Sequence, residues 1–503
     1  MRSHKATRWL SARQGTFTGE RTIRAGRCCQ YGLRVEKTDA ATWAELVLRR
    51  YARQTNRLIA GRVFAVRGSG PYADALRSAL IGIGARVVAP ASGEPVDTCF
   101  EAEPPDLFAA LTASYLGEPR DGAAERIAWA RRHMPVLEAL GQRLAGSGLL
   151  AGRRVGICLV LEPKTAVLAR VLAEAGAEVS LYAHPEETDA AVAAELRAGG
   201  IPVFGGLAAE SEDAEQARFL ARRLHVLIDD GSRLIRRLIA TPGAASALVG
   251  AAEETTSGLR PLRELAELPF PVIAVNDART KSLFDNAHGT GQSCLLTILD
   301  LLDPDRAGWG LPGRTVAVAG FGPVGEGFAR NVRALGGKVL VADPDPVAEL
   351  RARFAGYRTG PLEDLVAEAD LIVSASGYPH TITPAVLAAA RSGAAVAVAG
   401  GVEDEVDWRI ALDAGGTFEP VREHVEDLRL ASGNAVRLLD RGACINCTAG
   451  EGNPIEIMDL SFAVQLAAVE LLLTGHLSPG LHPIPAAADE LIARLALDRS
   501  LES

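Results

Sequence analysis

Three short segments carry most of the groups that could move protons: IDDG at 228–231, EETTSG at 253–258 and VNDARTKSLFDN at 275–286. They place Asp229, Asp230, Glu253, Glu254, Lys281, Asp285 and Asn286 in turn-like stretches after short apolar runs, where α/β proteins put reacting groups. Taken singly, each reads as a solvated loop charge. Gathered around one lysine, they read as acid–base machinery. Lysine is scarce in this chain, confined to Lys5, Lys37, Lys164, Lys281 and Lys338, so the company Lys281 keeps is informative.

A second pattern suits phosphate. Gly320-Phe321-Gly322-Pro323-Val324-Gly325 is a G-x-G-x-x-G that follows the strand-like run TVAVA and opens a helical one, and Asp343 closes the next strand. Glycines there let the backbone approach a pyrophosphate, whose charge is met by unpaired N–H groups and the dipole of a helix N-terminus. Asp343 would accept hydrogen bonds from an adenosine ribose and repel a 2′-phosphate. NAD is therefore the expected cofactor, in preference to NADP. The comparable GSGPYA at 68–73 lacks the third glycine and a closing acid, and reads as a module without a dinucleotide.

The elements that must position these groups recur three times. Gly-Arg, a Val-rich strand, an Ala/Leu-rich helix and a second strand begin at Gly61, Gly152 and Gly313. Each is a βαβ unit, and short strands alternating with helical patterns imply parallel sheets with right-handed crossovers. The fold class expected is α/β: a Rossmann-type domain for NAD, a second α/β substrate domain, and an extra N-terminal α/β segment. Breaks rich in Pro and Gly at 258–272 and 301–313, and GEGNPIEI at 450–457, mark candidate boundaries. The division expected is an N-terminal extension over 1–120, a substrate domain over 121–290 and 453–503, and an NAD domain over 291–452, with a cleft between the last two.

A chain of 503 residues is long enough for two or more domains. Its hydrophobic share of 48%, with aromatics at 5%, suits Ala/Val/Leu-rich sheets covered by helices. A net charge of −9 argues against nucleic acid or anionic lipid as a partner, because both need a basic face. No apolar run reaches 18 residues and no secretory leader is apparent, so a cytoplasmic protein is expected. The basic residues scattered over the first 35 positions read as a disordered start. Seven cysteines show no disulfide framework. Cys444 and Cys447 form an isolated C-x-x-C, expected as small residues on a buried strand and turn, and no metal site is expected.

The three acidic segments, together with AGFGPVG at 319–325, resemble the S-adenosylhomocysteine hydrolases, over about residues 122–485. The resemblance implies a substrate domain and an NAD domain that close on an adenosine-like nucleoside, in a homo-oligomer, dimer or tetramer. It implies chemistry in which tightly held NAD oxidises the 3′-hydroxyl, the 4′-proton leaves, the 5′-substituent departs, water adds, and the ketone is reduced again. Carried over by motif, Lys281 and Asp285 handle the 3′-hydroxyl proton and Asp230 takes the 4′-proton. Glu254 holds the 2′-hydroxyl, with Thr255 beside it. Contacts to NAD are implied for Thr255, Thr256, Ser257, Asn286, Gly320, Gly322, Pro323, Val324, Gly325, Asp343, Gly400 and Asn446. A base lysine needs a lowered pKa, which burial beside the nicotinamide would supply.

The departures from the family pattern lie at the leaving-group end. Val160, Glu162 and Lys164 stand in CLVLEPKTA where the family has a histidine, a threonine and a glutamate, Gly401 and Asn453 stand where it has histidines, and Thr290 where it has a cysteine. The chain ends in ALDRSLES without the family's lysine- and tyrosine-bearing tail, so no tail clasp on a neighbour's NAD is expected. Three readings follow. The first is a nucleoside dehydratase of nucleoside-antibiotic biosynthesis that expels water, with Glu162 as the acid and Lys164 and Asn453 lining the substrate site. The others are an ordinary S-adenosylhomocysteine hydrolase and a catalytically silent NAD-binding regulator. The retained lysine–aspartate–aspartate set opposes the last.

Overall fold

The computed structural model describes residues 39–102, 122–205, 211–241, 243–304, 309–402 and 404–499. The basic opening stretch, the end of the N-terminal extension and the final SLES of the chain lie outside the described residues.

The first of the three Gly-Arg units folds as β1 (Val63–Arg67), a helix Pro71–Ile83 and β2 (Arg86–Val88), and β3 (Thr98–Glu101) completes a parallel sheet of order β2-β1-β3. The second starts a larger sheet. Its strands are β4 (Arg154–Cys158), β5 (Glu178–Ala183), β6 (Val203–Gly205), β7 (Val226–Asp229), β8 (Gly250–Glu253) and β9 (Pro271–Ala274). The third unit gives β10 (Thr315–Ala319) and β11 (Lys338–Ala342), followed by β12 (Arg358–Thr359), β13 (Leu371–Ser374) and β14 (Ala395–Val398). A meander of β15 (Thr417–Arg422), β16 (Val425–Arg429) and β17 (Ala435–Leu439) completes that sheet, and β18 (Gly480–Pro483) returns to pair with β9.

The strand orders are β18-β9-β8-β7-β4-β5-β6 and β12-β11-β10-β13-β14-β17-β16-β15. Runs such as VLID, LIVS and AVAV are buried at every position, as parallel strands covered on both faces must be. In each sheet the order reverses beside its first strand, between β4 and β7 and between β10 and β13. Crevices at the carboxyl ends of strands open at such switch points, and ligands bind there.

The stretch 258–272 is not a boundary. Thr255 caps a helix, Thr256–Glu264, by accepting from the Gly258 amide at 3.2 Å, and Leu259 and Leu262 bury one side of it. Its proline falls in a nine-residue helix that simply connects β8 to β9 in one sheet. Composition misled because a good cap and an apolar stripe outweigh one Pro. The helix Ile455–Thr474 is long and apolar enough to cross a membrane by length and composition, yet much of it is buried in protein. It lies in the core of the larger parallel sheet, with Phe462, Val464 and Leu466 packed against Val155, Ile228 and Ile273.

The extension is built into the NAD-binding half. Helix Ala40–Thr55 contributes Trp43, Leu48 and Tyr51 to one core with Phe64 and Phe100 of its own sheet and with Leu295, Leu299, Phe328 and Val332. A Cβ on Gly82 would lie 2.9 Å from that of Ala334, so this helix pair approaches as closely as glycine allows. Arg49, 3% exposed, anchors the contact. Its guanidinium donates to the Leu299 carbonyl at 3.0 Å, the Asp303 carbonyl at 3.1 Å and Asp300 at 3.0 Å. These acceptors lie at the C-terminal end of the helix Gly291–Leu302 and its cap, where a cation is best placed. Breaking a buried pair costs about 3–5 kcal/mol, so Arg49→Met should lower the thermal midpoint and speed proteolysis within 40–102. Arg53→Met, at an exposed ion pair, should change neither. Equal behaviour of the two variants would remove Arg49 from this role.

Candidate active site

Adjacent strands β7, β8 and β9 end in the three acidic segments. Asp229 lies opposite Glu253 in register, and both are fully buried. Burial pushes the Asp229 carboxyl up to about 7, while its Oδ2 accepts from the Ile235 amide at 2.8 Å. Burial also pushes Glu253 up, and it accepts from the amides of Gly231 (3.0 Å), Ser232 (2.8 Å) and Thr255 (3.0 Å) and from the Thr255 hydroxyl (2.7 Å). These two acids therefore tie the β7 and β8 loops together. A Cβ on Gly258 would fall 2.0 Å from Glu253, so that position must stay bare. Side chains alternate faces along a strand, which leaves the next residues, Asp230 and Glu254, for the other side.

Lys281 lies in the short helix Arg279–Ser282, whose first amides donate to Asp489 at 2.9 and 3.0 Å. Its ammonium is 3% exposed, 2.7 Å from Asp285 Oδ2, and donates to Asn276 Oδ1 at 3.1 Å. Burial alone would lower its pKa. The charges of Asp285, Glu254 and Asp230 outweigh burial and raise it, so the expected lowering is reversed: the carboxylates hold Lys281 as an ammonium. Burial raises Asp230, against the pull of Arg233 and Lys281. Burial brings Glu254 to about 7, opposed by Lys281 and by hydrogen bonds from Ser461 Oγ and Gln465 Nε2.

Asp285 and Asn286 open a π-helical turn, Asp285–Thr290, that runs into the helix Gly291–Leu302. Asn453 crosses to this turn. Its Nδ2 donates to Asp285 and, at 3.2 Å, to Thr290 Oγ1, and its Oδ1 accepts from Ser293 Oγ at 2.8 Å and from Asn446 Nδ2 at 2.9 Å. A Cβ on Gly400 would lie 3.4 Å from Thr290 Cγ2 and 3.7 Å from Val324 Cγ2. The proton-moving set is thus joined through Asn453 to the end of the glycine loop.

That loop fits NAD. Gly320 has a φ of 96° and packs so tightly that a Cβ would meet the Ala375 carbonyl oxygen at 2.8 Å, whereas Gly322 faces open space. A tight turn followed by an open approach is what a pyrophosphate needs. Pro323 starts the helix Pro323–Ala334 with its φ preset, and Gly325 sits against the Gly320 carbonyl. Asp343 holds the loop by accepting from the Phe321 amide at 2.6 Å and the Asp345 amide at 2.8 Å, with further lone pairs left for a ribose. Thr256 is exposed at its helix start, and Ser257 Oγ donates to Thr255 at 3.3 Å.

Glu162 is placed differently from the expectation of a free acid. It caps the helix Pro163–Glu174, accepting from the Lys164 amide at 2.9 Å, and its carboxylate lies 2.7 Å from Lys164 Nζ. The pair is buried, and burial raises Glu162 against the attraction of Lys164. Val160 and Gly401 are half-buried and bring no proton-carrying group. Cys444 and Cys447 lie 3.5 Å apart at a short helix Ile445–Thr448, not on a strand, and Cys444 with burial pushes the Cys447 thiol up. Among the described residues no cluster of His, Cys, Asp or Glu could hold a metal ion. Sequence reasoning missed Asn276, Ser461 and Gln465. The last two were findable as polar residues four apart within a largely apolar helix.

A family model, S-adenosyl-L-homocysteine hydrolase, NAD binding domain, matches residues 299–452. S-inosyl-L-homocysteine hydrolase of Methanopyrus kandleri is 36% identical over 397 residues, covering 74% of this chain and 89% of the relative. Adenosylhomocysteinase of Thermosynechococcus vestitus is 38% identical over 386 residues, covering 74% and 88%. That of Thermotoga maritima is 36% identical over 385 residues, covering 74% and 93%. The glycine loop and Asp343 lie inside that matched stretch and are the candidate NAD site. Asp343→Ala should cut the NAD that co-purifies by roughly tenfold or more, about 1.4 kcal/mol of binding. Undiminished NAD content, or equal competition by NADP, would count against that assignment.

Proposed function

The chain belongs to the S-adenosyl-L-homocysteine hydrolase family, and from that premise we propose that it hydrolyses the thioether of a purine nucleosyl-homocysteine by transient 3′-oxidation. The observation that carries this reading is the grouping of Lys281, Asp285, Asp230 and Glu254 at adjacent strand ends, joined through Asn453 to Thr290 beside Gly400. When bound, NAD supplies reversible hydride transfer at C3′.

The residues divide the protons among them. Asp285 accepts the 3′-hydroxyl proton, and the Lys281 ammonium donates to the oxygen as it becomes a carbonyl and again as it is reduced. A ketone at C3′ acidifies the 4′-proton, and Asp230, made more basic by burial, takes it. The 5′-thiolate of homocysteine leaves, water adds at C5′ and the proton it gives up ends on the departed thiolate, and Asp230 returns its own proton to C4′. Glu254, held by Ser461 and Gln465, accepts from the 2′-hydroxyl.

Dehydration of a hydroxymethyl nucleoside is the alternative that Val160 and Glu162 raised. It needs a free acid at the leaving-group end, and Glu162 is already committed to a helix cap and to Lys164, so thioether hydrolysis is the reading we carry. The relatives' names cover both adenosyl and inosyl substrates, so both are tested.

Holoenzyme given S-adenosyl- or S-inosyl-homocysteine should release free thiol from at least one. Loss of one water from an adenosine-type nucleoside without thiol release would favour the dehydratase instead, and neither reaction would leave a silent binder. Asp230→Asn should still form NADH but release thiol at least ~100-fold more slowly, the scale of a lost general base. Absence of NADH in that variant would reassign Asp230. Ser461→Ala removes a donor to the charged form of Glu254, so its pKa rises above about 7. The acid limb of kcat/KM should shift to higher pH; an unmoved limb would show that Glu254 does not govern it.

A further inference from the structure

The chain buries a second ammonium whose surroundings are supplied in part by the N-terminal extension. Lys164 is 1% exposed and stands just past the carboxyl end of β4, across the switch point from β7 and Asp230. Its Nζ has three partners. It lies 2.7 Å from Glu162, donates to the Glu451 carbonyl at 2.7 Å and donates to Asn56 Oδ1 at 3.0 Å. Glu162 belongs to the substrate-side sheet, Glu451 to the segment leading back from the NAD-side sheet, and Asn56 to the extension.

Asn56 is shaped for this contact. It ends the helix Ala40–Thr55 in the left-handed conformation, φ 48°, which asparagine tolerates better than other side-chain-bearing residues. Its flanks are fixed on every side. Its carbonyl accepts from the Ile455 amide at 2.9 Å, the Thr55 carbonyl from Trp129 Nε1 at 2.8 Å and the Arg57 carbonyl from Gln292 Nε2 at 3.0 Å. The Leu58 amide donates to Glu456 at 2.9 Å and the Ile59 amide to Gln292 at 2.9 Å, while Arg57 and Arg62 both pair with Glu456. So many ties on one short loop leave the Asn56 side chain little freedom.

We propose that Asn56 is a positioning residue: through it the N-terminal extension holds the Lys164 ammonium, and with it the Glu162 carboxylate, at the mouth of the β4–β7 crevice. This goes beyond the proposed reaction and rests on it only for the consequence in turnover. An ammonium so deeply buried needs each of its three donors met. Two acceptors come from the two halves of the enzyme and the third from a segment outside the region that resembles the family.

The test uses full-length holoenzyme with Asn56→Gly, which keeps the left-handed backbone and deletes the acceptor, and Asn56→Asp, which restores an acceptor. Amine-reactive labelling followed by peptide mapping reads Lys164 against Lys281, an equally buried control. In Asn56→Gly, Lys164 should label at least roughly tenfold faster while the labelling of Lys281 and the NAD content stay unchanged. Asn56→Asp should return labelling to the wild-type rate. Where the wild type hydrolyses a nucleosyl-homocysteine, kcat/KM should fall by the same order in Asn56→Gly and recover in Asn56→Asp. Unchanged labelling of Lys164 overturns the proposal, and so does parallel exposure of Lys281, which would mean mere loosening. A wild type inert toward every nucleosyl-homocysteine would sink the proposed reaction, while the labelling ratio would still decide the role of Asn56.

Discussion

A buried ammonium surrounded by carboxylates is the constraint on which the rest of the site depends. Taking Lys281 out of water is costly, and the cost is offset by Asp285 at 2.7 Å, Asn276 at 3.1 Å and the nearby charges of Glu254 and Asp230. Those four groups come from the ends of β7, β8 and β9 and from one π-helical turn. A shift in register of any strand would leave both a charge and its counter-charge unpaired. The inner acids Asp229 and Glu253 serve that register, because they bind loop amides and leave their successors near Lys281.

The same constraint explains why Asn453 can stand where a ring might be expected. An amide has two donors and an acceptor, and Asn453 uses them on Asp285, Thr290, Ser293 and Asn446 at once. It orients the carboxylate that neutralises Lys281 and connects it to the turn against Gly400. The neutral side chain adds no further charge beside Lys281 and Asp285.

The strands, the three βαβ units and the glycine loop were legible because period-two and helical patterns are local properties of a sequence. The acidic segments were legible as candidates for the same reason, since each follows a strand. What was not legible depends on distances between segments. The direction of the Lys281 shift was misjudged because sequence shows that carboxylates exist but not how near they lie. Glu162 was read as the leaving-group acid because sequence places Lys164 two residues on but does not show that the helix start buries the pair. The apparent linker at 258–272 was misread from composition, although Thr255 followed three residues later by the Gly258 amide was a cap in plain view.

The extension shows most clearly why local reading stops. Nothing in residues 55–62 marks them as part of a crevice, yet their backbone groups meet Trp129, Gln292, Ile455 and Glu456, which lie far apart in the chain. Its helices share one apolar core with the helix Gly291–Leu302 and with Phe328 and Val332. Removing the extension would therefore expose apolar surface on the NAD-side sheet, strip two backbone ties from the start of the helix at Ile455, and leave Lys164 short of an acceptor. A segment tied into a core, a helix start and a buried charge together cannot be treated as an appendage: the contacts that fix it on the NAD half are the ones that carry Asn56 to Lys164.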